Sequence, residues 1–121
     1  MNNVQHSSEP VIIKLPAEID VINAEETGWL LTSAMTPGGV VVADMTATTF
    51  CDSLGINELL AAHHRASDLG CQLRFALPGG HVLRVLDLLQ AQKMLAIYPT
   101  VAEAVSAAPR ASSNRENREG G

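Results

Sequence analysis

Apolar positions recur along the chain with two different periods, and the alternation between them predicts the architecture. Val11 to Leu15 (VIIKL) is a short apolar run stopped by Pro16, which predicts a strand. Asp20 to Asn23 then leads into a predicted helix from about Ala24 to Met35. Trp29, Leu30, Ser33 and Ala34 fall on one side of that helix, and Glu25 and Glu26 suit its first turn, where the helix dipole favours acids. Val40 to Ala43 is β-branched and apolar, bounded by Pro37-Gly38-Gly39 and Asp44, and reads as a central strand. Ile56, Leu59, Leu60 and Ala66 then follow helical spacing, with Glu58, His64, Arg65 and Asp68 between them and Gly70 as the predicted C-cap.

The pattern repeats in the second half. Cys71 to Leu77 (CQLRFAL) predicts a strand, and Pro78-Gly79-Gly80 turns the chain into a helix from His81 to about Gln90. Val82, Val85, Leu86 and Leu89 of that helix stand at core spacing. Leu95 to Tyr98 is a short strand, and Pro99-Thr100 opens a last helix over Val101 to Ala107. Trp29 and Phe75 are read as core residues. Strands alternating with helices give an α/β layer architecture with parallel neighbours and right-handed crossovers. Length agrees: 121 residues make one domain with one core. The folded domain is expected over 9–106, between polar tails at 1–8 and 107–121 that lack apolar anchors and read as disordered. There is no internal repeat.

Charge narrows the partners. A formal net charge of −5 argues against a nucleic-acid surface, which is normally basic, and Arg110, Arg115 and Arg118 alternate with Glu116 and Glu119. No apolar run reaches the ~18–20 residues that cross a bilayer. Met1 to Glu9 is polar, without the apolar core of a signal peptide. The expectation is a soluble cytoplasmic domain, in which Cys51 and Cys71 are free thiols.

Candidate chemistry concentrates at Asp52-Ser53-Leu54-Gly55, where the chain enters its second helix. Backbone N–H groups there lack intrahelical partners. A serine in that place either caps the helix or carries a phosphoryl group that the helix end accommodates. Hydrolase chemistry fits poorly: Cys51 stands where a nucleophile elbow needs glycine, and His63 and His64 lie two to three turns along the helix. The histidines and cysteines show no paired metal-ligand spacing. Gly79-Gly80 lacks the rest of a phosphate-binding loop and reads as a tight turn. A phosphoaspartate receiver with Asp44 as acceptor would need a carboxylate pair after the first strand, where Lys14-Leu15-Pro16 stands, and a lysine after a later strand, which is missing.

The order strand, Asp44-Met45-Thr46, Phe50-Cys51-Asp52-Ser53-Leu54-Gly55-Ile56, helix resembles the STAS domain of bacterial anti-sigma factor antagonists. Leu15-Pro16-Ala17-Glu18-Ile19-Asp20 is similar to the family's Leu-x-Gly-Glu-(Leu/Ile)-Asp, with Ala17 in place of glycine. Pro78-Gly79-Gly80 with its helix, and Tyr98-Pro99-Thr100-Val101-Ala102-Glu103-Ala104-Val105, resemble the family's third and last helices, although Ala91-Gln92 replaces its frequent Gly-Leu. The similarity runs from Val11 to Val105.

This resemblance implies a single STAS-like α/β domain, with a mixed sheet of about four to five strands and about four to five helices. It implies a binding module rather than an enzyme, with no cofactor or metal of its own. The unphosphorylated form would bind an anti-sigma factor serine kinase and so release a sigma factor. Phosphorylation at Ser53 would end that association, and a phosphatase would reset it; neither nucleic acid nor membrane would be touched directly. Thr48 and Thr49 are the alternative acceptors. Glu18, Asp20, Asp44, Thr46, Thr48, Thr49, Asp52, Ser53, Leu54 and Gly55 would form the partner surface, with Asp52 fixing the loop and Gly55 admitting the kinase's backbone. A STAS scaffold or ligand-binding module without phosphorylation remains the alternative, because a phosphosite is defined by its kinase.

Overall fold

The computed structural model describes residues 9–108; the expectations for 1–8 and for most of the second tail lie outside them. Four strands form the main sheet: β1 (Val11–Lys14), β3 (Val40–Asp44), β5 (Gln72–Ala76) and β6 (Ala96–Tyr98), in the spatial order β1-β3-β5-β6. Two short strands, β2 (Glu18–Ile19) and β4 (Phe50–Cys51), pair separately. The helices are α1 (Ala24–Ser33), α2 (Ser53–Leu69), α3 (His81–Leu88) and α4 (Val101–Ser106). Every pairing among the described residues is parallel, as the alternation of strands and helices predicts, and not mixed as the resemblance implied. The reason is connectivity: successive strands of the main sheet are separated by a helix, which carries the chain back to the same end.

Because the strand order follows the sequence, right-handed crossovers put α1, α2 and α3 on one face and leave the other to α4. Alternation along each strand then builds two cores. Ile13, Ala43, Phe75 and Ile97 lie in one register row and, with Val41 and Leu73, pack in one core with Leu59 of α2 and Leu86 of α3. Val42 and Ala76 face the other way and pack with Ala104, Tyr98 and Val101. Arg74 also lies on that second face and is buried. It donates to the carbonyls of Ala104 (2.8 Å) and Val105 (3.3 Å) at the end of α4 and to Gln72 Oε1 (3.0 Å). A strand arginine therefore ties down the last helix through carbonyls that have no intrahelical donor.

Two expectations about the core are corrected. Trp29 is not core: it is 64 % exposed, and the buried side of α1 is Ala24, Thr27, Gly28 and Leu31. The two helices pass so closely that Gly28 lies against the Glu58 side chain of α2, which leaves no room for an indole. Leu89 is exposed because α3 ends one residue before it, and a turn of 3₁₀ helix at Ala91–Lys93 makes the connection to β6. The pairing of β2 with β4 was not foreseen. Elsewhere the agreement is close, and Gly70 does end α2 in the left-handed conformation at φ 74°.

Candidate functional site

The site is assembled at the end of the main sheet where β1 and β3 finish. Asp44 closes β3, and its Oδ1 accepts from the backbone N–H of Thr46 (3.0 Å) and from the Thr46 hydroxyl (2.6 Å). This is a local Asx turn that ends the strand. The following loop is stitched to the segment after β1. The Thr48 hydroxyl donates to the Pro16 carbonyl (2.8 Å), and the Thr49 N–H donates to the Ala17 carbonyl (2.8 Å). The two segments then run as parallel strands, with Glu18 beside Phe50 and Ile19 beside Cys51. The ladder continues one step further, since the Asp52 N–H donates to the Ile19 carbonyl (3.0 Å). Asp20 and Asp52 therefore lie side by side at the head of α2. Asp20 is itself held, its N–H donating to Asn23 Oδ1 (2.9 Å) while Asn23 Nδ2 donates to the Glu18 carbonyl (2.8 Å).

At the helix start the capping role falls to Asp52, not to Ser53. Asp52 has extended backbone, and its Oδ1 accepts from the Gly55 N–H at 2.9 Å. Ser53 is the first helical residue; its side chain is exposed and has no hydrogen-bond partner among the described residues. Of the alternative acceptors, Thr48 is buried and its hydroxyl is spent on Pro16. Thr49 is exposed, with a long 3.4 Å contact to the Ala17 carbonyl.

Gly55 also has a different setting from the expected one. It is buried, and a Cβ added there would stand 2.7 Å from Cys51 Sγ and 2.8 Å from Ile19 Cγ2. The missing side chain makes room for the β2–β4 pair, not for a partner's backbone. Burial, followed by the charge of Asp52, pushes the Cys51 thiol up to about 12. It stays protonated and is no nucleophile at neutral pH. Among the described residues no cluster of three His, Cys, Asp or Glu is placed to hold a metal ion, and no helix is long and apolar enough to cross a membrane.

Exposed apolar residues lie in the segments that meet at the head of α2: Phe50 and Leu54 stand either side of Ser53 in sequence, and Val21 and Ile22 belong to the turn that follows Asp20. Sequence reasoning missed Phe50, Val21 and Ile22. The available signal was two large apolar residues placed in a turn between polar neighbours.

Two capping substitutions separate the roles at the helix start. Asp52→Ala should cost about 1 kcal/mol, the usual worth of an N-cap, and Ser53→Ala less than about 0.5 kcal/mol, as for an exposed residue. Urea unfolding of both variants measures the difference, and equal costs would return the cap to Ser53.

Against known proteins, the model of the STAS domain family matches residues 2–104. The chain belongs to the STAS domain family. Its fold is that of an anti-sigma factor antagonist from Mycobacterium paratuberculosis, at a TM-score of 0.73 and 22 % identity over 82 % of this chain and 85 % of that one. An anti-sigma-factor antagonist (STAS) domain protein from Planctomyces limnophilus gives a TM-score of 0.68 and 23 % identity over 84 % and 92 %. A sulfate transporter family protein from Wolinella succinogenes gives 0.70 and 13 % over 81 % and 83 %. No curated protein matches the chain. At these identities the structural likeness speaks for the STAS fold alone.

Proposed function

We propose that this STAS domain is an anti-sigma factor antagonist. Unphosphorylated, it binds an anti-sigma factor serine kinase and releases the sigma factor that the kinase held; phosphorylation of Ser53 ends that complex. The observation that supports this most is the division of labour at the head of α2. Asp52 satisfies the helix end, and the Ser53 hydroxyl stands exposed and unbonded one residue further on. An acceptor needs just this freedom, because its oxygen must reach the γ-phosphorus of a nucleotide held by another protein.

In the reaction the Ser53 Oγ forms a bond to the γ-phosphorus as the bond to the ADP oxygen breaks, and the hydroxyl proton passes to a base. Nucleotide, Mg²⁺ and base belong to the kinase. This chain contributes an accessible hydroxyl on a rigid helix start, which lowers the cost of ordering the acceptor. The helix N-terminus then tolerates the phosphate. The protein acts as a cytoplasmic binding module and not as an enzyme, and a phosphatase restores the hydroxyl.

Fluorescence titration against a purified anti-sigma factor kinase and its sigma factor tests the reading. The unphosphorylated chain should displace sigma factor from the kinase, and the phosphorylated chain should not. Equal displacement by both forms would favour a STAS scaffold without a phosphorylation switch.

A further inference from the structure

Trp29 is the chain's single tryptophan, and it stands in water on the outer side of α1. It is not isolated there. The Asp20 carbonyl accepts from the N–H groups of Asn23 (3.1 Å) and Ala24 (2.7 Å), so the turn ahead of α1 is already wound like a helix. Ile22 therefore precedes Trp29 by about two turns and lies on the same side. Ile22 is 88 % exposed, and Val21 beside it is also exposed. The turn that carries them follows β2 directly, and β2 is tied to the segment entering α2 by the Asp52 N–H bond to the Ile19 carbonyl. A stripe of exposed apolar and acidic residues thus runs from the turn after β2 along α1.

The stretch of sequence that builds this stripe carries charge of one sign. Between Lys14 and Arg65 the sequence has seven carboxylates and no lysine or arginine. Glu25 and Glu26, both exposed, sit in the first turn of α1 between Ile22 and Trp29. Such a field attracts cationic surfaces and repels anionic ones. Tryptophan is among the residues most enriched at interface hot spots, where a large ring becomes fully desolvated.

We propose that the partner surface extends from Ser53 along the outer side of α1 to Trp29, and that the partner meets this stripe with cationic side chains. This rests on the reading of the chain as the ligand of an anti-sigma factor kinase. The kinase's nucleotide would face Ser53 at one end, and its basic groups would face Glu25 and Glu26 further along.

The test is calorimetric titration of the full chain into each purified anti-sigma factor serine kinase of the source organism, at low and at moderate salt. Trp29→Ala should weaken binding by about tenfold or more, as hot-spot truncations do, with an unchanged melting curve because the ring is exposed. The double variant Glu25→Lys with Glu26→Lys should also bind more weakly, and wild-type affinity should fall as salt screens the field. Leu88→Ser, an exposed position on α3, should stay within about twofold of wild type. Wild-type affinity in Trp29→Ala, or unweakened binding in the charge-reversed variant, overturns this proposal alone. Failure of the wild type to bind any of the kinases overturns it together with the functional reading.

Discussion

Phosphorylated Ser53 is expected to bind the kinase about a thousandfold more weakly than the unmodified chain, a loss of about 4 kcal/mol, while melting at the same temperature. Within the domain the opposing effects are small. The helix N-terminus favours the added anion by about 0.3–1 kcal/mol, and Asp52 beside it repels the anion across largely solvated space. Ser53 is exposed and its hydroxyl has no hydrogen-bond partner among the described residues, so no internal bond has to break.

Across the interface the balance changes. In the proposed complex the phosphoserine would face the nucleotide phosphates that delivered it, and docking over the exposed Phe50 and Leu54 would remove screening water. A doubly charged group about 6 Å from one such anionic charge, at an effective dielectric of about 20, is repelled by about 5 kcal/mol. Ser53→Asp adds one charge, so about half of the 4 kcal/mol loss, about a thirtyfold weaker complex, is expected for it. Titration calorimetry gives the affinities, and circular dichroism with thermal melting checks the fold. A variant that loses binding by unfolding or rearranging would replace local repulsion with a conformational switch.

The second large effect lies inside the domain. Gly55→Ala should destabilise the fold by about 1–3 kcal/mol, the range for overpacking a filled site. The new Cβ would meet Ile19 Cγ2 at 2.8 Å, Cys51 Sγ at 2.7 Å and the Ile19 carbonyl at 3.1 Å. Ile19 and Cys51 are register partners in the β2–β4 pair, so neither can retreat without opening it. The same pair sets Asp20 beside Asp52, and a shift there moves the head of α2 against the Glu18–Asp20 segment. Gly55→Ala should therefore weaken kinase binding as well, whereas a substitution that touches only the acceptor, Ser53→Ala, should retain it. Urea unfolding reads the first effect; a stability equal to wild type would mean that Ile19 and Cys51 yield freely.

What the sequence conveyed well was whatever depends on long periodic stretches. The strand read at Val40 to Ala43, the helical spacing from Ile56 and the stop at Gly70 correspond to β3 (Val40–Asp44) and α2 (Ser53–Leu69), and they follow from spacing and from a glycine that takes positive φ. The inward side of α1 was misread because its packing is decided by smallness. Hydrophobicity favoured Trp29 and Leu30, but contact with α2 required Gly28 and Thr27. Two-residue strands such as β2 and β4 have no period to detect, so the pairing that joins Glu18–Asp20 to the Ser53 loop became visible only in three dimensions. Capping was legible as a motif but not as an assignment. Asp52 and Ser53 both qualify by type, and only the Gly55 N–H shows which of them accepts. Thr48 looked as free as Thr49 until its hydroxyl was found on Pro16.

The central claim is that Ser53 is the phosphoryl acceptor, and intact mass with peptide mapping tests it most directly. The full chain is incubated with a purified anti-sigma factor serine kinase and Mg·ATP, beside Ser53→Ala as control. The account predicts one phosphoryl group on the wild type, mapped to the peptide containing Ser53, and none on Ser53→Ala. Phosphate mapped to Thr48 or Thr49, or taken up equally by Ser53→Ala, would contradict it.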